Sequence, residues 1–126
     1  MSEDRGAMHV THVGRVIIPV ADQDSALDFF TGTLGFEVRI NGSFGNGQRW
    51  IEVAPPGAET AVALVPQGMS AGIEVSLVSG DIAADHEALL RHGIDADAEL
   101  ISFEGVPPMF TFRDPDGNPF RMVQRS

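Results

Sequence analysis

The chain has no cysteine. That excludes disulfides, thiolate metal sites and cysteine nucleophiles, and leaves only nitrogen and oxygen atoms to hold any metal. It has no apolar run near the roughly 20 residues that cross a bilayer. Its start, MSEDRGAMHV, lacks the basic opening and apolar stretch of a signal peptide. A cytoplasmic protein with no membrane partner is the expectation. Basic residues are scarce: 8 Lys and Arg face 18 Asp and Glu, for a formal charge of −10. Such a balance repels nucleic acid, whose phosphates are held by Lys and Arg. The same charge reads either as a solubility device or as attraction for a cationic small molecule. No Ser-His-Asp spacing and no phosphate-loop pattern is present.

What is there suffices for a core. Of 126 residues, 43% are hydrophobic, which fits one compact domain over residues 1–126. Residues 1 to 8 read as a frayed start. The segment HVGRVIIPVAD is β-branched and ends at a turn signal, so it reads as a strand. Asp24 or Ser25 can cap a helix over SALDFFTGTLG, with Ala26, Phe29, Phe30 and Leu34 near one face and Gly35 as its stop. FEVRI, QRWIEVA and ETAVALVP follow as strands, the first two separated by the glycine-rich loop NGSFGNG.

The second half repeats this order. AGIEVSLVSGD is a strand, IAADHEALLRHG a helix ending at Gly93, and IDADAELISF, PPMFTFRD and NPFRMVQ are strands, the last entered through the DPDGN turn. The predicted class is α+β: two tandem βαβββ modules, about residues 9–66 and 71–125, forming a curved mixed sheet around a cavity. One helix per module covers one sheet face, so the other faces a cavity or a partner.

The duplicated βαβββ order, with PVADQDSALDFFTGTLGFEV, ALVP and the terminal DPDGNPF, resembles the vicinal oxygen chelate superfamily. That group spans glyoxalases, bleomycin resistance proteins and extradiol dioxygenases. The resemblance covers nearly the whole chain and implies the fold and a homodimer; fold does not fix function. In metal-dependent members four inward side chains meet the cation. Those places fall here on Arg15, Ala63, Glu74 and Arg121. Only Glu74 has a ligand atom to offer, because Arg has no acceptor and Ala no ligand group. The expectation is therefore no metal and no cofactor.

Strand alternation gives the same faces independently. Arg15, Ile17 and Pro19 oppose Val16, Ile18 and Val20; Glu74, Ser76 and Val78 oppose Ile73, Val75 and Leu77; Ala61, Ala63 and Val65 oppose Val62 and Leu64. Arg15, Glu74 and Arg121 read either as an anion clamp, one guanidinium oriented by Glu74, or as an internal ion cluster. Trp50, the only Trp, alternates with Gln48 and Glu52 and either stacks on a planar ligand or packs in the core. Phe44, Met109 and Phe110 read as a hydrophobic lid or as packing against a neighbouring subunit. His9 falls in the tail, and His86 and His92 on or beside the second helix. His12 faces away from Arg15 unless a bulge re-aims it toward a metal. The functional expectation is a metal-independent glyoxalase/bleomycin-resistance-like protein that binds a small organic molecule, with ligand-binding residues Arg15, Trp50, Glu52, Ala63, Glu74 and Arg121. The alternative is a lyase, isomerase or dioxygenase of the same superfamily, with Glu74 as general base.

Overall fold

The computed structural model describes residues 8–126. Strands and helices alternate as β1 (Val10–Val20), α1 (Gln23–Asp28), β2 (Glu37–Ser43), β3 (Arg49–Ala54), β4 (Ala61–Pro66), β5 (Glu74–Ser79), α2 (Ile82–Arg91), β6 (Ile101–Phe103), β7 (Val106–Arg113) and β8 (Pro119–Gln124). This is the α+β order expected, βαβββ twice. The chain forms two compact units, a first half of Gly14–Glu74 and a second half of Val75–Ser126 joined by residues 8–13. In the first half β3 lies between β2 and β4 in antiparallel ladders, and β4 runs parallel to β1. In the second half β7 lies between β6 and β8, and β8 runs parallel to β5. Both halves therefore use one strand order, with the first and last strand of each module parallel.

In the first half α1 covers one sheet face. Val20, Ile51, Val53, Val62 and Leu64 of the strands pack with Ala26, Leu27, Phe30 and Phe36. The cap is Asp22, whose Oδ1 accepts from the amides of Asp24 (3.0 Å) and Ser25 (3.1 Å), two or three residues before the expected caps Asp24 and Ser25. Phe29 and Leu34, assigned above to the packed face, are about half exposed. The reason is that the segment Phe29–Thr33 widens to a π-helix, so a 3.6-residue period misplaces the residues from Phe29 on.

The two helix stops are variants of one motif. At Gly93 (φ 73°) the Ile94 amide reaches Leu89 O and the Gly93 amide reaches Leu90 O, as in a Schellman cap. At Gly35 (φ 74°) the Phe36 amide reaches Phe30 O and the Gly35 amide reaches Thr31 O, each one residue further back. The π-helical turn accounts for that extra residue.

In the second half Ile82, Phe110 and Met122 form the core under α2, with Leu77, Leu89, Phe112 and Met8 against them. Phe110 is 1% exposed, so it belongs to this core and to no lid. Met8 likewise packs on it, which removes it from the frayed start; residues 1–7 of that start lie outside the described residues. The strand expected over 94–103 shrinks to Ile101–Phe103 and a single bridge between Ala96 and Phe112. Before it, Arg113 binds the carboxylate of Asp97 at 2.9 Å.

His9 is not in a tail. Its amide (2.8 Å) and Nδ1 (3.0 Å) meet Oδ1 of Asp85 on α2, and the Ser79 hydroxyl donates to Oδ2 at 2.7 Å. Asp85 and Ser79 are fully buried, so this carboxylate is the anchor of strand β1's beginning on α2. Asp85→Ala strands the buried Ser79 hydroxyl and the part-buried His9 amide and is expected to cost on the order of 3 kcal/mol in a urea melt, whereas His9→Ala, which keeps the amide, costs roughly 1. Equal losses would assign the effect to the imidazole.

In the last turn, Asp114 accepts from the Asn118 side chain and the amides of Asn118 and Asp116. The Asn118 side-chain bond first, then its amide, holds the Asp114 carboxyl below its ordinary 3.8. A lowered folded value means that the turn's support is present above the unfolded value and is lost as pH falls through the folded one. An NMR titration should place the Asp114 midpoint below 3.8; a midpoint at or above it contradicts this bonding.

Candidate functional site

The face of the first half opposite α1 is built by alternation. Parallel register sets Arg15 beside Ala61 and Ile17 beside Ala63, and antiparallel register sets Ala63 beside Glu52. On β2 a bulge falls between Val38 and Ile40. It gives Val38 to the side of Val53 and turns Ile40 to Glu52 and Gly42 to Trp50. Ile17, Ala63 and Val65 are buried together, with Trp50 packed against them. This is the face the alternation of β1, β3 and β4 predicts for Arg15, Ala63, Trp50 and Glu52.

At its centre is a carboxylate held from two sides. The indole Nε1–H of Trp50 donates to Glu52 Oε2 at 2.7 Å. Arg15 Nε stands 2.9 Å from the same oxygen, an ion pair whose N–H is not aimed along the contact. The Glu52 side chain is 7% exposed and that of Arg15 23%. Desolvation of a carboxylate this deep is offset only by close opposite charge and hydrogen bonds, and both are supplied.

The pairing has a steric condition. Arg15 is on β1 and Glu52 on β3, with β4 between them, so the two side chains span about 10 Å of sheet. The β4 residues beneath that span are Ala61 and Ala63, 5% and 0% exposed. Any longer side chain there would stand in the guanidinium's path. Ala63 thus makes room for an ion pair. The end of β3 is also fixed. Gln23 of α1 donates to the carbonyls of Arg49 (2.6 Å) and Leu64 (2.9 Å), and Asp24 pairs with the Arg49 guanidinium.

The other expected residues are placed as follows. Glu74 opens β5, and its carboxylate accepts from the Ser70 hydroxyl at 2.8 Å. Arg15 pairs with Glu52, a contact that follows from sheet order and not from chain order. Arg121 is on β8, in register with Ser76 on one side and Thr111 on the other, on the face opposite the Leu77, Phe110 and Met122 row. His12 contacts Thr11 Oγ1 at 2.9 Å. His86 bonds Asp97 O at 2.7 Å and packs on the Phe110 ring. Among the described residues no three His, Asp or Glu side chains converge as metal ligands. Missed from the sequence was the Ser79, Asp85 and His9 array, whose members lie up to 76 residues apart.

A family model described as Glyoxalase/Bleomycin resistance protein/Dioxygenase superfamily matches residues 9–122. The chain belongs to that superfamily. Its fold is the vicinal oxygen chelate fold. An uncharacterized protein, YetH of Bacillus subtilis, is 32% identical over 120 residues, covering 91% of this chain and 99% of its own. Methylmalonyl-CoA epimerase from Mycobacterium tuberculosis has a TM-score of 0.78 at 20% identity, over 94% of this chain and 91% of that one. TnmS3, an antibiotic binding protein from Streptomyces sp. CB03234, is 32% identical over 94% of this chain and 99% of that one, with a TM-score of 0.42. This superfamily member also has no helix, among the described residues, long and apolar enough to cross a membrane.

Ala63→Leu tests the steric condition. Forcing a larger side chain beneath the guanidinium is expected to cost about 1–3 kcal/mol in a denaturant melt and to shift the Trp50 indole proton in an NMR spectrum. Full stability with an unmoved indole signal would mean that the pair does not run over Ala63.

Proposed function

We propose that this protein binds a small organic molecule, without a metal ion, on the face of its first half that carries Trp50, Glu52 and Arg15. The observation that carries the reading is the double commitment of Glu52, at 2.7 Å to the Trp50 indole and 2.9 Å from Arg15. Both contacts fall on Oε2, and the fixed positive charge of Arg15 beside that carboxylate opposes a divalent cation there. At the four places where the resemblance puts metal ligands, Arg15 and Arg121 bring fixed positive charge, Ala63 brings no donor, and Glu74 is bonded by Ser70. That donor set does not fit a divalent ion. What the face does offer is an indole and a floor of Ile17, Ala63 and Val65, the mix of apolar surface and few polar groups that small-molecule sites share.

Sequestration of the bound molecule is the simplest activity such a site performs, since binding alone is enough. A homodimer completes the proposal, on the strength of the resemblance. Native mass spectrometry of protein purified without chelator tests the metal, the ligand and the dimer in one spectrum. A metal-free dimer with a small organic adduct that is lost in Trp50→Ala is the expected result. One divalent ion per chain, abolished by Glu74→Gln, would overturn the metal-free reading and favour an enzyme.

A further inference from the structure

The ground beside Trp50 has a shape and a charge that narrow the ligand class. Gly42 is the cross-strand partner of Trp50, and no atom lies within 4 Å of where its Cβ would stand. Its backbone does not require glycine, since it is not among the positive-φ residues. A strand glycine of this kind marks a place where another group approaches closely. Two residues further, just past the end of β2, the Phe44 amide still bonds Gln48 O across the hairpin at 3.2 Å, which carries the alternation on to the same side, and the residue is 46% exposed. Phe44 and Trp50 are thus diagonal neighbours on one face with the open Gly42 position between them. Diagonal side chains stand roughly 7–8 Å apart. Two ring contacts of about 3.5–4 Å fill that separation with one flat ring.

The electrostatics remove charge as a means of recognition. The only polar atom of Trp50 is spent on Glu52, so the indole offers its π face. Arg15 and Glu52 cancel one another, and the next residue on the face, Ile40 beside Glu52, is apolar. A charged ligand would be desolvated there with no opposite charge left to meet it.

We infer that this site takes an uncharged, flat aromatic ring, laid over Gly42 against the Trp50 indole with Phe44 as its outer wall. The inference rests on the binding-site reading proposed above and specifies its ligand class.

Four fused six-membered bicyclic probes of similar size test it: neutral 2-naphthol, anionic 2-naphthoate, cationic N-methylquinolinium and the non-planar 2-decalol. The readout is the indole N–H cross-peak of uniformly 15N-labelled protein, which has one such signal because it has one Trp. The expected result is a saturable shift with 2-naphthol, and binding weaker by roughly tenfold or more for both charged probes and for 2-decalol. Phe44→Ala should weaken 2-naphthol about threefold to tenfold, the loss of one aromatic contact. Gly42→Val should abolish it while leaving the rest of the spectrum in place, because the added methyls meet open space on an exposed strand. Tighter binding of either charged probe at the indole overturns the uncharged class and leaves the binding-site reading standing. Equal binding of 2-decalol overturns the flat aromatic class, and unaltered binding in Gly42→Val overturns the placement. An indole signal that none of the four probes moves overturns this inference and the binding-site reading together.

Discussion

Each half of this protein has one helix for a sheet with two faces, and that shortage governs what the remaining residues must do. The helix takes the face of Leu64, Ile51 and Val53 in the first half and that of Phe110 and Met122 in the second. Among the described residues no second helix covers what is left. The first half fills this face with a small apolar floor and an ion pair capped by an indole. The second carries Ser76, Arg121 and Thr111 in one row across three strands. The same supersecondary unit therefore serves twice as scaffold, with Arg15 and Glu52 in one half and Ser76 and Arg121 in the other on the faces that the helices do not claim.

Much of this was legible because the side-chain period of a strand is two. Once β1, β3 and β4 are recognised, Arg15, Ala63, Trp50 and Glu52 must share a face, and they do. The glycines at 35 and 93 were legible for a similar reason: a helix stop with φ near 74° strongly favours glycine. Neither inference needs to know where any strand lies in the sheet.

What the sequence hid depends on that order. Glu52 reaches Arg15 because β4 separates their strands, a relation that no local pattern encodes. Asp85 meets His9 across 76 residues, and a buried Asp on a helix looks in sequence like any solvated one. The helix boundary failed for a local reason of another kind. Asp22, Asp24 and Ser25 are all competent caps, and only the backbone decides among them. The π-helical turn then defeats a periodicity argument altogether, since Phe29 and Leu34 are spaced correctly for a helix that does not continue.

The ion pair also explains why small residues matter as much as charged ones here. A guanidinium crossing a strand needs alanines beneath it, and an indole left open on one side needs a glycine beside it. Ala61, Ala63 and Gly42 contribute little contact area themselves. They determine which larger groups meet: Arg15 with Glu52 over the alanines, and Trp50 with the ring proposed to lie over Gly42. Because the charges of Arg15 and Glu52 stand against one another on this face, the ligand proposed for it would be selected by the outline of the gap, by size and planarity rather than by charge.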